Sequence, residues 1–134
     1  MIAKDDQSRE ERVSRILIVD DEEAILFAFS KVLGGPNFEL HTAQTLDDAL
    51  PLLHKNSYQA VIADLKLSGT SNNEGFQVIE SARESQKGCK IIVMTAYGDE
   101  KTKEKVSSLG ADCYLEKPVF PRRVKEILAA MGIG

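Results

Sequence analysis

The chain has 134 residues, a formal net charge of −4, 43% hydrophobic residues and 28% charged residues. This length allows one domain with a sizeable core but not two. The acidic balance argues against nucleic-acid binding, and no apolar run is long enough to cross a membrane. We interpret the chain as one globular domain of a cytoplasmic protein, in which Cys89 and Cys113 are reduced rather than bridged.

Five short apolar runs, typical of strands, alternate with five amphipathic segments typical of helices. Residues 1–14 are mostly polar, and we interpret them as a disordered or linker lead-in to a domain of residues 15–131. The predicted strands are residues 15–19, 38–42, 61–65, 90–94 and 113–115. The apolar residues predicted to bury the five helices are Ile25, Phe29, Val32 and Leu33; Leu46, Ala49, Leu50 and Leu53; Phe76, Ile79 and Ala82; Val106 and Leu109; and Val124, Ile127, Leu128 and Met131.

Helix boundaries are marked by caps and prolines. Thr45 is a suitable N-cap for the second helix, and Pro51 should kink that helix or shift its start. A long polar loop, residues 66–74, precedes the third helix and should end at Gly75. The fourth helix, residues 99–109, has the fewest large apolar residues. It is therefore predicted to be the most weakly held.

Strict strand–helix alternation predicts βαβ units with right-handed crossovers. The fold class is therefore α/β, a doubly wound five-stranded parallel sheet between two layers of helices. The strand order 2-1-3-4-5 is taken from known flavodoxin-like folds and is not computed from this sequence.

Four of the predicted strands end in polar residues. Asp20 and Asp21 follow the first strand, Asp64 ends the third, Thr95 follows the fourth and Lys117 follows the fifth. In a 2-1-3-4-5 sheet these strands are contiguous, so the side chains should converge at the carboxyl edge, where such sheets bind ligands.

This set of groups suits phosphoryl transfer. Three neighbouring carboxylates repel one another, and a hard cation such as magnesium with oxygen ligands offsets that repulsion. Lys117, the Thr95 hydroxyl and the Ala96 backbone N–H are donors for phosphoryl oxygens, and an aspartate can act as nucleophile. Each residue alone would more often be a helix cap or a solvated strand end. Their combination on the correct strand ends is the specific signal.

Four stretches carry a family resemblance: ILIVDDEE (16–23), VIADLKL (61–67), VMTAYG (93–98) and GADCYLEKP (110–118). Over residues 15–131 the chain resembles the receiver domains of bacterial two-component response regulators. Such a domain is a regulatory phosphoacceptor rather than an enzyme. The resemblance implies a phosphoryl donor, either a sensor histidine kinase or a phosphotransfer protein. It also implies an unidentified downstream protein or output domain, and a homodimer linked to phosphorylation.

The resemblance also implies residue roles. Asp64 would be the phosphoacceptor, and Thr95 and Lys117 would bind the phosphoryl oxygens. Tyr114 would swing inward when Thr95 moves, which alters the face formed by the fourth helix, fifth strand and fifth helix. The Lys117-Pro118 bond would be cis. The implied magnesium ligands are Asp20, Asp21, Asp64 and the Lys66 backbone carbonyl, with Asp21 favoured over Asp20 as the direct ligand.

The sequence departs from the family pattern in the loop at 66–74, which is longer and lacks the usual proline. Lys66 and Tyr97 would border the path of hydrolytic water. Three alternatives remain open: an aspartyl-phosphate phosphohydrolase, a flavin-binding domain and a receiver that works without phosphorylation. The first would need an acid where Lys66 stands. The second would need a phosphate-binding loop where Asp20 and Asp21 would repel phosphate.

Overall fold

The structure is a computed structural model that describes residues 13–67, 73–96 and 98–134. Most of the expected lead-in, part of the long loop and Tyr97 lie outside the described residues. No helix in the described ranges has the length and apolar character needed to span a membrane. The elements are β1 (Ser14–Val19), α1 (Glu23–Leu33), β2 (Phe38–Ala43), α2 (Leu46–Lys55), β3 (Ala60–Asp64), α3 (Asn73–Ser85), β4 (Lys90–Thr95), α4 (Glu100–Ser108), β5 (Cys113–Glu116) and α5 (Pro121–Ala130).

The five strands form one parallel sheet in the order β2-β1-β3-β4-β5, which confirms the expected fold class and strand order. Val19 at the end of β1 lies opposite Ala63, and Asp64 lies opposite Met94. Thr95 at the end of β4 lies opposite Glu116. The register therefore brings the carboxyl ends of these strands to the same edge.

Hydrophobic residues are buried on both faces of the sheet. One cluster packs under α2, α3 and α4, and the other under α1 and α5. Every residue of β3 is buried, as expected for a central parallel strand covered on both sides. The free thiols of Cys89 and Cys113 face different clusters.

Several helix predictions are correct in type but shifted in detail. In α1 the buried face is Leu26, Phe29 and Leu33, whereas Ile25, which was predicted for the core, is only partly buried. The N-cap prediction for α2 is confirmed, since the Asp48 backbone N–H donates to the Thr45 hydroxyl oxygen at 3.0 Å.

Pro51 does not shift the start of α2, which begins directly after Thr45 and is continuous through the proline. Pro51 is exposed, and so is Asp47, whose carbonyl loses its usual intrahelical donor. Water can satisfy that carbonyl, so the proline is accommodated.

The start of α3 is earlier than predicted. The helix begins at Asn73, two residues before Gly75, so the loop ends sooner than the sequence suggested. Gly75 is a buried residue of the first turn rather than the end of the loop.

Helix α4 is held by little burial, as predicted. Val106 is its single buried residue, and Leu109 lies just after the helix, partly buried. The N-cap is Asp99, whose carboxylate accepts from the Thr102 backbone N–H at 2.7 Å.

We predict that Val106→Ala lowers the free energy of unfolding by about 2 kcal/mol, because two buried methyl groups are lost and a small cavity remains. Amide exchange should accelerate most in α4, since no other buried side chain holds that helix. Urea unfolding and hydrogen exchange measure the two effects. Glu104→Ala, an exposed change on the same helix, should leave both unchanged. Equal α4 exchange in Val106→Ala and wild type would contradict the prediction.

Candidate functional site

Asp20 and Asp64 are charged residues buried at the carboxyl edge of the sheet. Asp20 follows β1 and is 0% exposed, and Asp64 is the last residue of β3 and is 6% exposed. The Asp20 backbone N–H extends the β1–β2 ladder by donating to the Ala43 carbonyl at 3.0 Å. One Asp20 carboxylate oxygen accepts from the Glu22 backbone N–H at 2.9 Å. Backbone bonds thus fix the Asp20 side chain.

Lys117 joins the two buried carboxylates. Its ammonium nitrogen is 2.8 Å from Oδ2 of Asp20 and 3.2 Å from Oδ2 of Asp64. The Lys117 backbone N–H donates to the Thr95 carbonyl at 2.7 Å, so β5 and its extension hold the lysine beside the end of β4. The expected cis bond between Lys117 and Pro118 is present.

Electrostatics at this edge follow from burial and from the short contacts. Burial raises the pKa of Asp64 and repulsion from Asp20 adds to the rise, while Lys117 and a hydrogen bond from the Lys66 backbone N–H act to lower the pKa. Burial by itself lowers the pKa of Lys117, but contacts with Asp20 and Asp64 outweigh burial and the pKa is raised. The lysine is therefore charged at neutral pH.

A third carboxylate completes an acidic cluster. Oxygens of Asp20, Asp21 and Asp64 all lie within 4.8 Å of one another, and Asp21 is exposed where the other two are buried. Three carboxylates against one ammonium leave an excess of negative charge. The donors are hard oxygen atoms, which suit a divalent cation such as magnesium or calcium. The cluster thus fits a divalent cation, with an opening on the Asp21 side.

Thr95 is also at this edge. It is 1% exposed at the end of β4, one residue beyond the Asp64–Met94 pair, and Ala96 directly after it is exposed. The Thr95 side chain therefore belongs to the strand adjacent to Asp64 and is screened from bulk water. Lys66, whose backbone carbonyl is a predicted metal ligand, is half-buried in the loop that follows Asp64 and Leu65.

The Tyr114 hydroxyl lies beside Gly98, in the segment that leads into α4. It is buried and has no hydrogen-bond partner among the residues that the structure describes. A Cβ built on Gly98 would lie 2.2 Å from this hydroxyl and 2.7 Å from Oε1 of Glu116, so a side chain at position 98 would force the ends of these two side chains to move. Burial raises the Tyr114 pKa, and the charges of Glu116, Asp99 and Glu100 raise it further.

The roles of Gly98 and Gly75 beside the site could not be read from the sequence. Gly98 ends the stretch VMTAYG and Gly75 follows the polar loop, but a glycine gives no sequence signal for the backbone or side chain that approaches it. Tyr97, which was expected beside the path of hydrolytic water, lies outside the described residues.

The sequence model of the family described as "Response regulator receiver domain" matches residues 16–129. The photosynthetic apparatus regulatory protein RegA of Cereibacter sphaeroides is 32% identical over 117 residues, which are 87% of this chain and 62% of that protein. The transcriptional regulatory protein SrrA of Staphylococcus aureus is 37% identical over 111 residues, 83% of this chain and 44% of that protein. The chain thus spans about half the length of these relatives.

Solved structures of response regulators superpose on this chain. A CheY-like response regulator receiver domain protein of Methanospirillum hungatei superposes with a TM-score of 0.80 at 30% identity, covering 89% of this chain and 93% of that one. A response regulator of Burkholderia pseudomallei, solved with a phosphorylated aspartic acid, a calcium ion and citrate, superposes with a TM-score of 0.75 at 25% identity. The superposition covers 88% of this chain and 72% of that one. With its five-stranded order, its acidic edge and the family match over residues 16–129, this chain belongs to the response regulator receiver domains of two-component signalling.

Proposed function

We propose that Asp64 is the phosphoacceptor of this receiver and that its donor is the phosphohistidine of a sensor histidine kinase or a phosphotransfer protein. The observation that carries the proposal is the Lys117 ammonium, which contacts the buried carboxylates of Asp20 and Asp64 at 2.8 and 3.2 Å. A cation held against two acids at the carboxyl edge is poised to meet the oxygens of an incoming phosphoryl group.

In the transfer, an Asp64 carboxylate oxygen attacks phosphorus and the P–N bond of phosphohistidine breaks. The bonding pair leaves with the imidazole, which takes up a proton from solvent, and an acyl phosphate forms on Asp64. Lys117 and the Thr95 hydroxyl stabilise the charge that spreads over the phosphoryl oxygens. Asp64 needs no general base for the attack, because an ionised carboxylate is already the nucleophilic form.

Magnesium is the proposed metal. Asp20, Asp21, Asp64 and the backbone carbonyl of Lys66 would hold it, with Asp21 the direct ligand favoured from the sequence. When bound, the ion would neutralise the carboxylates and the phosphoryl oxygens. The Burkholderia structure, with its phosphorylated aspartic acid and calcium ion, supports a divalent cation in this family.

The proposed response to phosphorylation involves Thr95 and Tyr114. A phosphoryl group on Asp64 would draw the Thr95 hydroxyl, and the Tyr114 ring, whose hydroxyl lies beside Gly98, would then move inward. Helix α4 has a single buried side chain, so a small bias can shift its position. The face formed by α4, β5 and α5 would then bind a downstream protein, an output domain or a second copy.

The proposed setting is the cytoplasm, where a receiver meets its kinase, with no direct contact to nucleic acid or membrane by this domain. The domain is proposed to act as a regulatory phosphoacceptor that promotes its own phosphorylation and dephosphorylation, not as a phosphohydrolase of small esters. Lys66 supports that choice, because those enzymes use an aspartate at this position and a lysine side chain supplies no carboxyl group.

We predict that Asp64→Asn abolishes phosphorylation. Incubation with acetyl phosphate and magnesium should add one phosphoryl group to the wild-type protein, as measured by intact mass, and none to the variant, because an amide oxygen is a poor nucleophile. Asp47→Asn, which changes an exposed carboxylate on α2, should be phosphorylated like wild type.

Two outcomes would overturn the assignment: a phosphoryl group on Asp64→Asn at the wild-type level, or an unmodified wild type under conditions in which a control receiver is fully modified.

We also predict a pH-dependent effect on stability without metal. The raised pKa means that folded Asp64 binds its proton more tightly than unfolded Asp64. The stabilisation that comes from this tighter proton binding is complete below the pKa of Asp64 in the unfolded chain. It is lost as the pH rises through the pKa of Asp64 in the folded protein. Asp64→Asn should therefore be more stable than wild type near pH 7, and the difference should shrink toward about pH 4.

Thermal unfolding across this pH range measures the difference. Magnesium should raise the unfolding temperature of wild type by binding the folded state, with a much smaller effect on Asp64→Asn. Parallel stability curves for the two proteins from neutral to acidic pH would show that ionised Asp64 carries no such cost.

A further inference from the structure

Gly75 lies unusually close to the backbone that follows Asp64. It is buried in the first turn of α3, and a Cβ built on it would lie 2.3 Å from the Leu65 Cα and 2.4 Å from the Leu65 carbonyl oxygen. Carbon atoms of ordinary neighbours are about 3.5–4.0 Å apart. No side chain can occupy this position unless α3 and the Leu65 backbone move apart by about 1 Å or more.

The same contact contains a hydrogen bond. The Gly75 backbone N–H donates to the Leu65 carbonyl at 3.1 Å. N–H groups in the first turn of a helix have no intrahelical acceptor, so this one is available for a bond outside the helix. Leu65 is itself 0% exposed, and it directly follows the proposed phosphoacceptor.

The Leu65 carbonyl and the Lys66 N–H belong to one planar peptide unit. A hydrogen bond that fixes the direction of the carbonyl therefore also fixes the direction of the N–H. Gly75 holds the carbonyl end, and the N–H end donates toward the Asp64 carboxylate. One rigid peptide therefore connects the first turn of α3 to the reacting carboxylate. The Lys66 carbonyl, proposed as a metal ligand, belongs to the next peptide unit of the chain.

From this geometry we propose that Gly75 is a positioning residue for phosphoryl transfer: the absence of a side chain lets α3 clamp the Leu65–Lys66 peptide so that its N–H faces Asp64. The inference rests on the proposed role of Asp64. It assigns Gly75 a part in the reaction beyond packing, although Gly75 itself touches neither the metal nor the phosphoryl group.

Gly75→Ala tests the proposal, with Gly34→Ala as a matched control. A Cβ on Gly34 would also meet backbone, the Ser30 carbonyl oxygen at 2.3 Å, and neither glycine has a positive φ. Gly34 follows α1 and precedes β2, so it lies toward the amino edge of the sheet, away from Asp64. Both variants should lower the unfolding temperature, but only one should disturb the site.

The expected result is a phosphorylation rate with acetyl phosphate and magnesium that is ~10- to 100-fold lower for Gly75→Ala and unchanged for Gly34→Ala, measured well below both unfolding temperatures. The Lys66 amide resonance should shift in Gly75→Ala before any ligand is added, and its response to magnesium alone should be reduced. A purely structural role would lower stability without moving that resonance or the rate.

Equal rates for Gly75→Ala and Gly34→Ala, with an unshifted Lys66 amide, would overturn the proposal while leaving Asp64 as the phosphoacceptor. Failure of the wild-type protein to be phosphorylated would instead overturn the proposed function. If Gly75→Ala does not fold, hydrogen exchange of wild type decides the matter: the Gly75 amide should exchange as slowly as the amides of β3, and exchange at the rate of a free amide would refute the clamp.

Discussion

The contact between the Lys117 ammonium and the buried carboxylates of Asp20 and Asp64 is the constraint on which the rest of the site depends. Two like charges at a buried edge are costly unless a cation compensates them closely. Lys117 follows β5, whereas the acids end β1 and β3, so the lysine has to reach past the end of β4. All of these strands must therefore end at the same level, which the observed register provides.

The helices that cover one face of the sheet are held unequally. At the amino edge of the sheet the Gln86 amide bridges α2, α3 and the residues before β3, donating to the Leu53 and Asn56 carbonyls and accepting from the Tyr58 N–H. Helix α4, on the same face, is held by Val106 as its single buried side chain. A change at the carboxyl edge can therefore shift α4 at a smaller cost in free energy than it can shift α2 or α3, and α4 is where a signal would leave the domain.

The strands and the positions of the acids at their carboxyl ends were predictable because each depends on a local pattern. A continuous apolar run ending in Asp64 or in Asp20 identifies a buried strand and its carboxyl end, and the Thr45 cap is equally local. The predicted start of α3 was wrong, and Ile25 packs only at the margin of the core, which is filled by Leu26. In both cases the deciding factor was a tertiary contact, with the Leu65 backbone for α3 and with the sheet surface for α1.

The sequence by itself determined the alternation of strands and helices, the ends of the strands and the identity of the charged groups there, because these follow from periodicity and residue chemistry. Tertiary structure alone decided that Lys117 contacts both Asp20 and Asp64, that the Tyr114 hydroxyl lies beside Gly98, and that α3 approaches Leu65 closely enough to require Gly75. Those features depend on the exact contact distances between segments that are not adjacent in the chain. Close packing sets these distances only once the whole sheet has formed.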